Sequence, residues 1–313
     1  MHLLIPFAAP QSEAGRDAAR ALALPQLGAL LALLLPQGRD DGDEWSLSPP
    51  HERALAQSFG WTGADGLLPW AARSAQADGL DVGGVAAARA WGLLTPAHWH
   101  LGTDQVSLLD PAGLMLDDTA SRLFFDAIQD LFTDEGYSLH YGTASRWYAK
   151  HDSLAALPTA SLDRVIGRNV DRWLGKAPAA RRIRRLQSEV QMRLYTHPLN
   201  DERIANGLLP VNSFWLSGCG VAQPMLHNDV EVDDRRRAPA LAEDWAGWFK
   251  AWETLDAGPV AKLRASAKAG QTLRITLCGE RASATFASGP RSLLQSLKSR
   301  FAAPAWLPIL ETL

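Results

Sequence analysis

Trp245, Trp248 and Trp252 stand three and four residues apart, the spacing that places side chains on one face of an α-helix. Three indoles on one face are costly to leave in water, so that helix must lie against a core. The same demand recurs along the chain, which carries twelve tryptophans in 313 residues. Apolar residues at 47% and charged residues at 21% are the balance of an ordinary globular protein, and the length is ample for a sizeable core. The indoles are therefore read chiefly as packing groups. The other use, an exposed aromatic surface for a protein partner, stays open. The expected organisation is one compact unit over 1–313, or two lobes at 1–175 and 176–313.

Several classes are disfavoured. A formal net charge of −3 gives no support for a nucleic-acid partner, which wants a basic excess. Cys219 and Cys278 are far apart and in no CxxC pair, which argues against a disulfide framework or structural zinc and fits a reducing cytoplasm. The start, MHLLIPFAAP, has no basic region before its apolar run. The most apolar stretch, 21–35, is interrupted by Pro25 and is shorter than the ~20 residues of a membrane span. A cytoplasmic protein with no membrane contact is expected.

Local signals predict mixed elements. Residues 2–7 read as a buried strand, 16–35 as a helix, 37–50 as an exposed loop and 51–59 as a helix opened by Pro50. One or two strands are expected in 85–110. A helix capped near Asp117 follows over 119–134, then a hairpin around Gly142. Ser161 opens a predicted helix over 161–174. Ile183, Leu186, Val190 and Leu194 form the stripe of a helix over 179–196. A strand over 211–216 runs into Gly218-Cys219-Gly220. A helix over 241–256, a hairpin through LRITLCGERASATFA and a helix over 290–302 complete the chain. No repeat and no clean βαβ rhythm appear. The fold class expected is α/β or mixed α+β, with helices packed on a mixed sheet.

The search for chemistry finds no GxSxG elbow, no GxxxxGK[ST] loop and no GxGxxG, and no cofactor is expected. His98, His100 and Asp104 form a weak metal candidate, two imidazoles two apart on a strand with a carboxylate nearby. The competing reading is a polar strand face or a satisfied pair of histidines. Cys219 would be a nucleophile only with a base beside it. The run Arg181, Arg182, Arg184 and Arg185 and the segment Asp233–Arg237 read as solvated charge. The richest stretch is 185–220. In it His197, Asn200, Arg203, Asn212, Gly218 and Gly220 are the candidate ligand-binding residues. Arg203 offers a fork for carboxylate or phosphate and the glycines expose backbone N–H groups. The competing reading is a structural joint of caps and turns.

TASLDRVIGR (159–168), RLQSEVQMRLYTHPLND (185–201) and PVNSFWLSGCG (210–220), with MHLLIPFA, TPAHWHLGTD and LCGE, resemble the RpfE-type regulatory protein family of proteobacteria. That resemblance implies a link to the regulation of pathogenicity factors and no biochemical activity; taken with the candidate residues of 197–220, the expectation is a non-catalytic regulatory or ligand-binding protein with a small anionic metabolite as partner. Within it, His197, Pro198, Asn200, Arg203, Gly207, Pro210, Asn212, Gly218 and Gly220 are similar to a segment of the archaeal-type, cofactor-independent phosphoglycerate mutases. This second resemblance implies the alternative, a metal-dependent phosphotransfer enzyme. Those enzymes run their first strand into a metal-binding Asp-Gly, whereas here it runs into Phe7-Ala8-Ala9-Pro10.

Overall fold

The apolar run after Met1 forms strand β1 (His2–Ile5), buried on both sides. The computed structural model describes residues 1–83, 89–175, 177–290 and 306–313. In chain order β1 is followed by α1 (Glu13–Ala21), α2 (Pro25–Leu31), β2 (Leu35–Asp41), α3 (Pro50–Phe59) and α4 (Trp70–Ala77). Next come β3 (Trp91–Ala97), β4 (Trp99–Leu101), β5 (Val106–Leu108), α5 (Asp118–Asp134), β6 (Ser138–Thr143) and β7 (Arg146–Lys150). Then follow α6 (Leu162–Val165), α7 (Pro178–Tyr195), α8 (Pro198–Ala205), β8 (Ser213–Gly220) and β9 (Val230–Val232). The chain closes with α9 (Arg237–Leu241), α10 (Trp245–Leu255), α11 (Ala261–Lys268), β10 (Arg274–Cys278), β11 (Ala282–Ala287) and α12 (Trp306–Glu311). Two compact units result: Met1–Gly60 with Met225–Leu313, and Trp61–Pro224. The division expected at 175/176 lies inside the second unit. No described helix is long and apolar enough to cross a membrane.

The first unit is built on a mixed sheet in the order β2-β11-β10-β1-β9. β1 runs parallel to both β10 and β9, while β11 is antiparallel to β10 and β2. Side chains alternate across a strand, and the two faces differ sharply. Leu3, Ile5, Ile275, Leu277, Ala284 and Phe286 join the apolar core with Leu27, Trp248, Trp252 and Leu263. The intervening residues His2, Thr276, Ser283 and Thr285 make the opposite face polar, and α3 packs over part of it through Ala54 against Leu4 and Cys278. Pro50 opens α3, and Gly60, at φ 76°, ends it in the left-handed conformation that glycine adopts without strain.

The second unit holds an antiparallel sheet, β6-β7-β3-β8, and a β4-β5 hairpin. Asp117 caps α5 by accepting from the Ala120 amide at 2.7 Å. Phe124, Ile128 and Phe132 of α5 meet Ile183, Leu186, Val190 and Leu194 of α7 over Trp147 and Phe214. On another side, Ala71, Ala72 and Ala75 of α4 pack with Trp91 and Tyr148.

The structure is α/β, with helices on mixed sheets, and three local expectations change. The helix expected over 16–35 is two, broken where Pro25 starts α2, and its last residue belongs to β2. The loop expected over 37–50 begins as that same edge strand. Its LPQGRDD carries no apolar alternation because its side chains are largely exposed, and β11 holds it through the backbone. The helix predicted over 161–174 is one turn, although Ser161 does cap it, accepting from the Asp163 amide at 3.4 Å. Gly167, at φ 73°, turns the chain there, and its amide bonds Leu108 O instead of continuing the helix. α4 carries no strong signal and was not expected. The helix expected over 290–302 lies outside the described residues, apart from Pro290.

Candidate functional site

The candidate residues of 197–220 spend most of their polar groups on the chain itself. His197 caps α8, its Nδ1 accepting from the Leu199 amide at 3.3 Å. Asn200 is buried, donates to Leu194 O and Val211 O, and accepts from Val211 N. Arg203 is buried and donates to Leu209 O and Leu114 O. Asn212 exchanges hydrogen bonds with both backbone groups of Trp99. Gly218 sits at φ 62°, and a Cβ there would lie 2.8 Å from the Ala71 amide, so glycine lets β8 approach α4. A Cβ at Gly220 would lie 3.2 Å from Pro69.

The other candidates are placed as follows. His98 Nδ1 donates to Pro210 O at 2.9 Å, while His100 and Asp104 are exposed at the β4-β5 hairpin. Among the described residues no group of three or more His, Cys, Asp or Glu is placed to hold a metal ion. Cys219 is fully buried, and burial pushes its thiol up to about 12, far from a reactive thiolate at neutral pH. Arg182 and Arg185 pair with Glu135 on the surface.

The Asp233–Arg237 segment corrects the sequence reading. Arg236 is 0% exposed and Asp233 is buried with it. The Arg236 Nε donates to Pro6 O at 3.2 Å, and its Nη2 to Asp233 O at 2.7 Å. Its guanidinium lies 4.7 Å from the Trp252 ring centre. The next two carbonyls of the chain are also held from the core: Trp248 Nε1 donates to Phe7 O at 2.8 Å and Trp252 Nε1 to Ala8 O at 3.3 Å. Phe7 has φ 52°, a conformation costly for a non-glycine residue. Three buried donors thus fix the turn that leaves β1.

A polar site lies elsewhere, on the α3 face of the first unit's sheet. A cavity of about 470 Å³ is lined by segments of β1, β2, α3, β10 and β11. His2, Thr276 and Ser283 are its buried polar residues, Ser58 and Thr285 are half-buried, and Gln37, Gln57 and Arg274 are exposed. His2 Nε2 and the Thr276 hydroxyl are 2.8 Å apart, and Thr276 and Thr285 share a hydroxyl contact of 3.0 Å. Ser58 Oγ lies 3.5 Å from His2 Nδ1. Arg53 is committed to Asp40 at 2.7 Å and to Ser48 O, and Arg39 to Asp41 and to Thr312. The Arg274 guanidinium has no hydrogen-bond or ion-pair partner among the described residues. The sequence showed none of this as a motif. Its one signal was a polar face, Arg274-x-Thr276 on one strand and Ser283-x-Thr285 on the next.

Burial, aided by the Arg274 charge and opposed by Asp229, lowers His2 from 6.5 to about 4, so its ring is neutral near pH 7. Between pH 4 and 6.5 the unfolded chain carries a proton on His2 that the folded chain lacks. Stability contributed by this group therefore rises with pH through that window and is lost as acid is added. His2→Gln, which retains hydrogen-bonding capacity toward Thr276, is expected to flatten that dependence in denaturation midpoints measured across the window. Identical pH slopes in the two proteins would refute it.

The chain is therefore an α/β protein with a polar cavity on one sheet face. No family model matches it, and no curated protein does, so the RpfE-type likeness rests on motifs alone. Solved structures do resemble it. A cofactor-independent phosphoglycerate mutase from Thermoplasma acidophilum is 13% identical, with a TM-score of 0.38, over 95% of this chain and 94% of that one. The PH0037 protein from Pyrococcus horikoshii is 14% identical, with a TM-score of 0.47, over 94% of this chain and 89% of that one.

Proposed function

We propose that the first unit is a receptor for a small anionic metabolite, bound in the cavity on the α3 face of its sheet. The observation that carries this reading is Arg274, an exposed cation with no hydrogen-bond or ion-pair partner among the described residues, in the lining of a built polar cavity. Its surroundings favour an anion. Arg39 is paired with Asp41 and Arg53 with Asp40, so Arg274 supplies the surplus positive charge of the lining, and His2 adds no charge near neutrality.

Titration calorimetry with inorganic phosphate and with citrate tests the reading. Binding is expected at millimolar concentration or tighter, weakening as salt is raised. Arg274→Ala is expected to weaken it about tenfold, the value of one charge-assisted hydrogen bond. Its thermal midpoint is expected to stay put, because the side chain is exposed and holds nothing. The proposal fails if neither anion gives heat at several millimolar, or if Arg274→Ala binds as well as the parent.

A further inference from the structure

The cavity has two zones of different chemistry, and they say more about the ligand than its charge. The buried zone is neutral. It consists of the His2 imidazole and the hydroxyls of Thr276, Ser283 and Thr285, with Ser58 above them. His2, Thr276 and Thr285 form a continuous chain at 2.8 and 3.0 Å. Each member of that chain can both donate and accept, since a neutral imidazole carries one N–H and one bare nitrogen and a hydroxyl carries both functions. The rim is where Arg274 stands, and Gln37 and Gln57 are the exposed amides of the lining. An inorganic anion would use only the rim and leave the buried zone to water. A hydrocarbon chain would leave unused the donor and acceptor capacity that the row keeps beyond its own two contacts, so it gains less there than a hydroxylated body does.

We infer that the ligand is a polyhydroxylated molecule with one anionic end, of the sugar-phosphate or sugar-acid kind, its hydroxyls on the His2–Thr276–Thr285 row and its anion at Arg274. Hydroxyl groups match such a row because each is also donor and acceptor, so whichever direction the chain of protons runs, the ligand can complete it. The cavity's volume, about 470 Å³, is that of a small-metabolite site. This inference rests on the anion-receptor reading above and adds the class of the body attached to the anion.

Calorimetry on the full chain with three probes, inorganic phosphate, sorbitol and sorbitol 6-phosphate, separates the two claims. Sorbitol 6-phosphate is expected to bind at least tenfold tighter than phosphate, and sorbitol more weakly than either. Thr276→Val, close to isosteric, is expected to reduce affinity for sorbitol 6-phosphate about tenfold while leaving phosphate unchanged. Thr285→Val, at a half-buried position, gives the same reading should the first variant fold poorly. Arg274→Gln is expected to weaken both anions together. Equal affinity for phosphate and sorbitol 6-phosphate, or a loss in Thr276→Val and Thr285→Val that falls equally on both, overturns the polyhydroxylated ligand and leaves the anion receptor standing. Sorbitol binding as tightly as its phosphate, or no binding by any probe, overturns both.

Discussion

Arg236→Leu is expected to destabilise the first unit by about 3–5 kcal/mol, the cost of removing one partner from a buried ion pair. The side chain is 0% exposed and has three tasks. It satisfies Pro6 O and Asp233 O, it lies 3.5 Å from the Asp233 carboxylate, and it stacks on Trp252. With leucine there, Asp233 stays buried with only the half-exposed Arg235 at 2.9 Å to balance it, and the Pro6 carbonyl loses its donor at the strained Phe7 turn. The native arrangement already carries a penalty. Arg236 Nη1 is buried with no hydrogen-bond partner, and burial pulls the guanidinium down to about 10, low for an arginine though still charged at neutral pH. The double change Arg236→Leu with Asp233→Leu is therefore expected to cost less than the two single changes added together, because no uncompensated charge remains. Urea denaturation of the four proteins measures this. A single Arg236→Leu within about 1 kcal/mol of the parent would show that the buried arginine holds nothing of consequence.

Trp252→Ala is expected to cost a similar amount, about 3–5 kcal/mol, because a fully buried indole leaves a large cavity that the core closes only in part. Trp252 packs edge-on to Trp248, with ring centres 6.3 Å apart, among Leu27, Leu255 and Leu263. It also donates to Ala8 O and carries the Arg236 cation. Trp252→Phe keeps most of the apolar area and an aromatic face but removes the donor, so it is expected to lose less than the alanine variant. Trp245 separates packing from stripe membership: it is only half-buried at the edge of this core, and Trp245→Ala is expected to lose clearly less than Trp252→Ala. Equal losses at the two positions, or an unchanged denaturation midpoint for Trp252→Ala, would contradict the packing.

Trp248 and Trp252 were legible in the sequence because helical periodicity is a nearest-neighbour property. Residues three and four apart share a face whatever the rest of the chain does. The same holds for Ile183, Leu186, Val190 and Leu194 on α7, for α3 opened by Pro50, for the Asp117 cap of α5 and for the β10-β11 hairpin, all of which stand as the local pattern implies. Motif-like stretches are less trustworthy guides to a site. Asn200, Arg203 and Asn212 look like ligand groups in one dimension, yet in the fold their partners are carbonyls and amides that the neighbouring turns leave unpaired. A polar side chain reads the same whether it serves a ligand or the backbone.

What only the tertiary structure decided is everything that depends on a partner distant in sequence. β2 is a strand because β11 offers it a backbone edge, not because its side chains ask for one. Arg236 is buried because β1, α10 and its own loop close around it, although five consecutive charged residues suggest solvent. The cavity draws on five separate stretches, at 2, 37–40, 53–58, 274–276 and 283–285, split between the two ends of the chain. The sequence by itself determined the elements with strong periodicity and the demand for a core to hold its tryptophans. Strand order and the polar side of the sheet were decided by long-range pairing, in which alternate residues of non-adjacent strands become neighbours only once the chain has folded.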